Sequence, residues 1–236
     1  MGSDVMIDLK SASKRYRGRA VVDSVDLSVR AGQVVGLIGA NGSGKTTVLR
    51  MIAGLVRPSA GDVVVAGCHV SAEAGGIAPG LGVLFDPPGL LPNLTGLQNL
   101  RMLASLRRTI GEDEVRSWMV RVGLDPASRQ RVGAYSQGMV QRLGLAQALM
   151  ESPQVLLLDE PTNALDPESV DLVADLIREQ QERGAAVLIA SHHLEEVERL
   201  CEPVWKIADG RLRPAESADL SRKGGRGRME EPQTEQ

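Results

Sequence analysis

Aromatic residues are scarce in this chain: of 236 residues one is Phe, two are Tyr and two are Trp, 2% in all. The choice of side chains on which a flat ring could stack is correspondingly short. Long apolar runs are missing too. Val34 to Ala40 and Val155 to Leu158 soon meet polar or charged residues, whereas a membrane-spanning helix needs roughly 18 to 20 consecutive apolar residues. The expectation is a soluble chain. There are only two cysteines, Cys68 and Cys201, and neither has the closely spaced Cys or His partners of a zinc site, so both read as reduced packing residues.

A basic excess is lacking as well. Lys and Arg number 27 against 30 Asp and Glu, a formal charge of -3, which points away from nucleic acid as a partner. The one basic cluster, Arg222, Lys223, Arg226 and Arg228, lies in a Gly-rich stretch before acidic and polar Met229 to Gln236, and is expected to be a mobile tail. The opening Met1-Gly2-Ser3-Asp4 has no basic-then-apolar layout of a secretory signal, so a cytoplasmic location is expected. Met6 stands where an acylation motif needs Ser or Thr.

What is present begins with 42% hydrophobic residues, enough for one substantial core. Val5 to Lys10 and Ala20 to Val29 alternate apolar with polar residues, and Gly61 to Ala66 continues in that style, which predicts a small antiparallel β flank. Val34 to Ile38, Val155 to Leu158 and Ala186 to Ala190 are continuous apolar runs that each lead into a polar loop and a helical pattern. Such runs fit buried parallel strands. Between them, Leu94 to Ile110 reads as a helix with capping-box spacing at Thr95 and Gln98, and Glu112 to Val122 as a second helix. Near the end, Asp209-Gly210 favours a tight hairpin turn.

Gly39-Ala40-Asn41-Gly42-Ser43-Gly44-Lys45-Thr46-Thr47 follows one apolar strand and opens a helix over Thr46 to Ala53. This is the Walker A spacing. Its glycines let backbone N–H groups turn inward around phosphate oxygens, Lys45 reaches the outer phosphates, and Thr46 can hold Mg²⁺. A second apolar strand ends in Asp159-Glu160, the build of a Walker B segment: Asp159 would support Mg²⁺ and Glu160 would polarise the attacking water. Ahead of it, Tyr135-Ser136-Gln137-Gly138-Met139 runs into a helix with Met139, Leu143, Ala146 and Met150 on one face. Its spacing alone reads as an N-cap serine.

The ordered set of Walker A, Ser-Gly loop, Walker B, Asn163-Ala164-Leu165-Asp166 and a strand ending Ser191-His192 resembles the ABC ATPase family, from about residue 5 to residue 213. The resemblance makes Tyr135 to Met139 the signature loop, Asn163 to Asp166 the D-loop, and His192 the switch histidine that contacts the γ-phosphate. His193 is left as a solvated helix-start residue. It assigns Tyr16 to stacking on adenine, with an ordinary exposed strand tyrosine as the other reading. It implies a P-loop NTPase (RecA-like) α/β core with a mainly parallel sheet, an antiparallel β flank and an α-helical subdomain over about 87–150, all in one domain, with 214–236 as a flexible tail.

By the same resemblance two copies pair head to tail on ATP, Ser136 and Gly138 act in trans, and a separate transmembrane permease is the partner. A soluble ATPase of translation or DNA repair would carry a second nucleotide domain or long insertions, and the chain has neither. Departures from the family pattern are Asp86 in place of Gln or Glu as a metal or water contact, Gln137 and Met139 in the signature loop, and Ala164 in the D-loop. Phe85 to Leu90 and Leu94 to Leu100 look like the ABC-2 branch that exports antibiotics or bacteriocin-like peptides. The permease-facing surface is expected over about Phe85 to Leu106, where Pro87, Pro88, Leu90, Leu91 and Leu94 form an apolar loop, unless its leucines fold back into the core.

Overall fold

The computed structural model describes residues 4–70, 78 and 80–220. In chain order the elements are β1 (Val5–Tyr16), β2 (Arg19–Arg30), β3 (Val34–Ile38), α1 (Lys45–Ile52), β4 (Ala60–Val65), β5 (Cys68–His69) and β6 (Leu81–Leu84). Three helices follow, α2 (Gly96–Arg107), α3 (Glu112–Arg121) and α4 (Gln137–Leu149). The chain then runs through β7 (Val155–Asp159), α5 (Pro167–Glu182), β8 (Ala186–Ser191), α6 (Leu194–Leu200), β9 (Val204–Ala208), β10 (Arg211–Pro214) and α7 (Ser217–Leu220).

The strands form two sheets. One is six-stranded, in the order β10-β9-β3-β8-β7-β6, parallel throughout except for the β9–β10 hairpin. The other is the antiparallel flank β2-β1-β4-β5. Because successive side chains of a strand point to opposite faces, the large sheet feeds two cores. Val34, Ile38, Leu156, Leu158, Val187 and Ile189 pack with α2 to α6. Val35, Leu37, Val155, Leu157, Leu188 and Ala190 pack with α1 and the flank. Burial on both faces is why β3, β7 and β8 run apolar, with Asp159 and Ser191 only at the carboxyl ends of β7 and β8.

β1 is longer than the expected Val5 to Lys10. Ser11 takes a φ of 48° and the pairing with β2 shifts register between Leu9 and Ala12. The bulge breaks the alternation that would mark one continuous strand. The predicted capping box is present at α2: Thr95 Oγ1 accepts from Gln98 N at 3.3 Å, and Gln98 Oε1 accepts from Thr95 N at 2.9 Å. The helix therefore starts at Gly96 rather than Leu94, and it stops at Arg108, whose φ is 56°. Asp209 and Gly210 make the hairpin turn with φ values of 50° and 76°, both left-handed as a type I′ turn requires.

Cys201 is buried but Cys68 is exposed at the end of the flank, so only one cysteine is a packing residue. The tail expected from residue 214 also begins differently. Ala215 N donates to Val204 O at 2.9 Å, and the Asp219 carboxylate accepts from Lys206 and Arg213, which hold it well below the usual carboxylate range. Residues 221–236, including the basic cluster, lie outside the described residues. Among the described residues, no helix is long and apolar enough to cross a membrane.

Candidate functional site

Parallel pairing brings the carboxyl ends of β3, β8, β7 and β6 to one edge of the sheet, which is where open α/β sheets bind ligands. The four strands deliver, in turn, the loop Gly39 to Gly44, the pair Ser191-His192, the pair Asp159-Glu160, and Asp86. Beside the loop lies a cleft of about 310 Å³ lined by Asn41, Gly42, Gly44, Lys45, Thr46 and Thr47, with Asp86, Asp159 and Glu160 opposite.

The loop geometry needs its glycines. A Cβ at Gly39 would stand 2.5 Å from Ile207 O and 2.7 Å from Ser43 Oγ; Gly44 has a φ of 113° and a Cβ there would meet Val21 O at 2.8 Å. Gly44 is the N-cap of α1 and offers no side chain, so the first N–H groups of the helix remain directed at the cleft. Ser43 Oγ is buried and makes no hydrogen bond. A phosphate oxygen is the acceptor that would satisfy such a hydroxyl. Lys45, buried, donates to Gly39 O at 2.8 Å and Ala40 O at 3.4 Å, and its Nζ lies 3.8 Å from Glu160 Oε1.

Thr46 Oγ1 donates to Asp159 Oδ2 at 2.7 Å. Burial pushes the Asp159 pKa up, the Thr46 hydrogen bond opposes it, and the nearby Glu160 and Asp86 carboxylates raise it further while Lys45 lowers it. Crowded negative charge of this kind, built from hard oxygen donors, suits a divalent cation. Glu160 takes a φ of 50° just after β7. Its Oε2 accepts from Ser191 Oγ and His192 N, each at 3.1 Å, and lies 2.8 Å from His192 Nδ1. That contact directs the Nδ1 hydrogen to the carboxylate and leaves Nε2 for another partner. His193 caps α6 and its ring lies 4.1 Å from that of His192.

Not every expected residue converges here. Ser136 is exposed and caps α4, accepting from Met139 N at 3.2 Å, and neither Ser136 nor Gly138 lines the cleft. Gly138 faces the D-loop instead: a Cβ there would meet Ala164 O at 3.1 Å. Tyr16, 46% exposed at the end of β1, has Lys14 Nζ over its ring at 5.1 Å and does not line the cleft.

Two features escaped the sequence reading. The sequence marks Ser191 only as the residue before His192; fully buried, it braces Glu160, a contact that nothing in its local sequence marks. Leu55, 58% exposed, lines an apolar groove of about 240 Å³ with Val83, Phe85, Pro88, Gly144 and Gln147. The expected surface at Leu90 and Leu91 lies beside this groove rather than in it, with Leu91 43% exposed. Leu90 folds partly into the core, and Leu91 is tied through its backbone to the Asn99 side chain, with bonds of 2.7 and 3.1 Å. Pro88 does belong to the groove. Gln147 Oε1 is buried there without a partner.

Comparison with known proteins agrees with this geometry. A family model described as ABC transporter matches residues 22–163. An uncharacterised ABC transporter ATP-binding protein of Bacillus subtilis (strain 168), YhcH, is 38% identical over 208 residues, 88% of this chain and 68% of its own length. The bacitracin transport ATP-binding protein BcrA of Enterococcus faecalis is 34% identical over 210 residues, 89% of this chain and 68% of its own length. Among solved structures, a dimeric post-hydrolysis state of the ATP-binding cassette MJ0796 with ADP and Pi superposes with a TM-score of 0.81 at 26% identity. It covers 89% of this chain and 98% of the cassette. A parallel sheet that gathers a phosphate loop, a buried Lys, a Thr–Asp pair and a Glu–His pair at one edge, in a chain with these relatives, belongs to the ABC transporter family, as an ATP-binding and ATP-hydrolysing subunit.

Proposed function

We propose that the chain is the cytoplasmic motor of an exporter, in which two copies close head to tail over ATP and drive a separate transmembrane permease that carries antibiotic, drug or peptide-like substrates. The observation that carries this reading is that the exposed start of α4 lies outside the cleft. Lys45, Thr46, Asp159, Glu160 and His192 surround the phosphate loop, whereas the exposed N-terminus of α4, with Ser136 and Gly138, lies outside it. An uncovered helix N-terminus with a hydroxyl is suited to an anion, and a second copy would bring it to the γ-phosphate. The dimeric state of the MJ0796 cassette supports the pairing, and BcrA, named for bacitracin transport, supports the substrate class. The unit is taken as one ATPase domain over 5–213, with α2 to α4 as its helical part.

In this reading the backbone N–H groups from Gly39 to Thr47 cradle the phosphates, and Lys45 turns from Gly39 O and Ala40 O to the outer ones. Asn41, Gly42, Ser43 and Gly44 shape the loop. Thr46, Asp159 and Asp86 would hold Mg²⁺, which when bound neutralises charge on the β- and γ-phosphates. Glu160 takes the proton of the attacking water, and His192, oriented through Nδ1, presents Nε2 to the γ-phosphate or that water. Tyr16 stacks on the adenine.

The groove beside Leu55, Phe85 and Pro88 takes a short apolar segment of the permease, with a donor for Gln147 Oε1. The test is co-expression with a candidate permease, sought among multi-span membrane proteins encoded near this gene. Wild-type cells should export or resist the substrate, and Lys45→Ala should remove that ability without removing the complex. The reading fails if the wild-type complex neither assembles nor raises ATP turnover, or if light scattering shows no ATP-dependent doubling of mass for Glu160→Gln with or without the permease.

A further inference from the structure

Asp86 is the exposed member of the three carboxylates in the cleft, and both of its neighbours, Asp159 and Glu160, carry the same charge. Like charges at close range repel, so a short side chain on a surface loop would be driven toward solvent. One bond opposes this: Asn163 Nδ2 donates to Asp86 Oδ2 at 3.0 Å, across 77 positions of sequence. The approach follows from the sheet. β6 and β7 are parallel neighbours with Leu84 opposite Leu158, so the loops after them leave the same edge side by side.

Asn163 is itself held by a turn, with Asn163 N donating to Glu160 O at 3.1 Å, while Gln141 Nε2 also donates to Glu160 O at 2.9 Å. Its donor is a neutral amide. A lysine or arginine in its place would cancel the carboxylate charge; an amide orients it, engages one oxygen and leaves the other available.

We propose that Asn163 is a positioning residue whose side-chain amide pins the Asp86 carboxylate in the nucleotide cleft, so that the site's grip on a divalent cation depends on a bond between the loops after β6 and β7. This rests on the cleft being the ATP site argued above.

The test measures Mn²⁺ binding to the full chain with ADP by electron paramagnetic resonance, alongside ADP binding in EDTA. Asn163→Leu keeps the side-chain volume without the donor, and Asn163→Ala serves as its check, both followed by thermal melts. Losing one hydrogen bond to a charged group should weaken Mn²⁺ about tenfold, with metal-free ADP binding unchanged. In an Asp86→Ala background the Asn163 substitutions should cost nothing more, and in an Asp86→Gln background, where the longer amide reaches further, they should cost little. Wild-type Mn²⁺ affinity in both Asn163 variants would overturn the proposal, as would an equal loss with Asp86 already removed. Failure of the wild-type chain to bind ADP would overturn the nucleotide-site reading, and the brace with it.

Discussion

Glu160→Gln separates the chemistry of the site from its architecture. The three donors on Glu160 Oε2, from Ser191 Oγ and from N and Nδ1 of His192, can be met only by the carbonyl oxygen of a glutamine. The amide NH₂ then faces Lys45 Nζ, where Oε1 now lies at 3.8 Å. The fold keeps its hydrogen bonds and loses one charge pair, a cost of about 1–3 kcal/mol that falls on the unliganded state. Catalysis loses more, because an amide cannot accept the proton of water, and a positioned base contributes about 10²–10⁴-fold, roughly 3–5 kcal/mol of barrier. Single-turnover hydrolysis of labelled ATP should therefore slow by that factor, while equilibrium ATP binding stays within about threefold of wild type. Turnover within about tenfold of wild type would mean that another group takes the proton. Parallel loss of ATP binding would mean that the amide disturbs Lys45, and that the effect is not catalytic.

Lys45→Ala should abolish turnover, since Lys45 is the cation lining the cleft that reaches the outer phosphates; near wild-type activity in a pure preparation would contradict its assignment. Leu55→Glu should leave the melting temperature and basal ATPase of the isolated chain within error, because Leu55 is 58% exposed, yet end co-purification with the permease. Leu90→Glu should instead lower the melting temperature, because Leu90 packs on the core. Asp159→Asn should stabilise the ligand-free protein at neutral pH, read as a higher melting temperature, while removing hydrolysis. The sign follows from burial raising the Asp159 pKa: the cost of its charge appears as pH rises through the folded value, and it vanishes below the ordinary carboxylate range, where wild type and variant should melt alike. A thiol reagent at neutral pH should label exposed Cys68 and spare buried Cys201, whose pKa is pushed up to about 12; equal labelling would refute that burial.

The features that the sequence determined by itself are those whose physics is local. A cradle of N–H groups needs glycine at fixed intervals before a helix, as at Gly39, Gly42 and Gly44, and a strand buried on both faces must run apolar, as β3 does throughout and β7 and β8 do up to the polar residue that ends each. The Thr95 capping box and the Asp209-Gly210 turn are likewise settled within four residues. Tertiary structure decided what depends on partners distant in sequence. Parallel pairing sets Asp86 against Asn163 and Ser191 against Glu160, and no short window of sequence contains either pair. The bulge at Ser11 hid the length of β1 because it reverses the alternation on which strand patterns rest. The groove followed the same rule: Leu90 and Leu55 are equally apolar as letters, and only tertiary packing laid Leu90 partly on the helical core and left Leu55, just past α1, facing solvent.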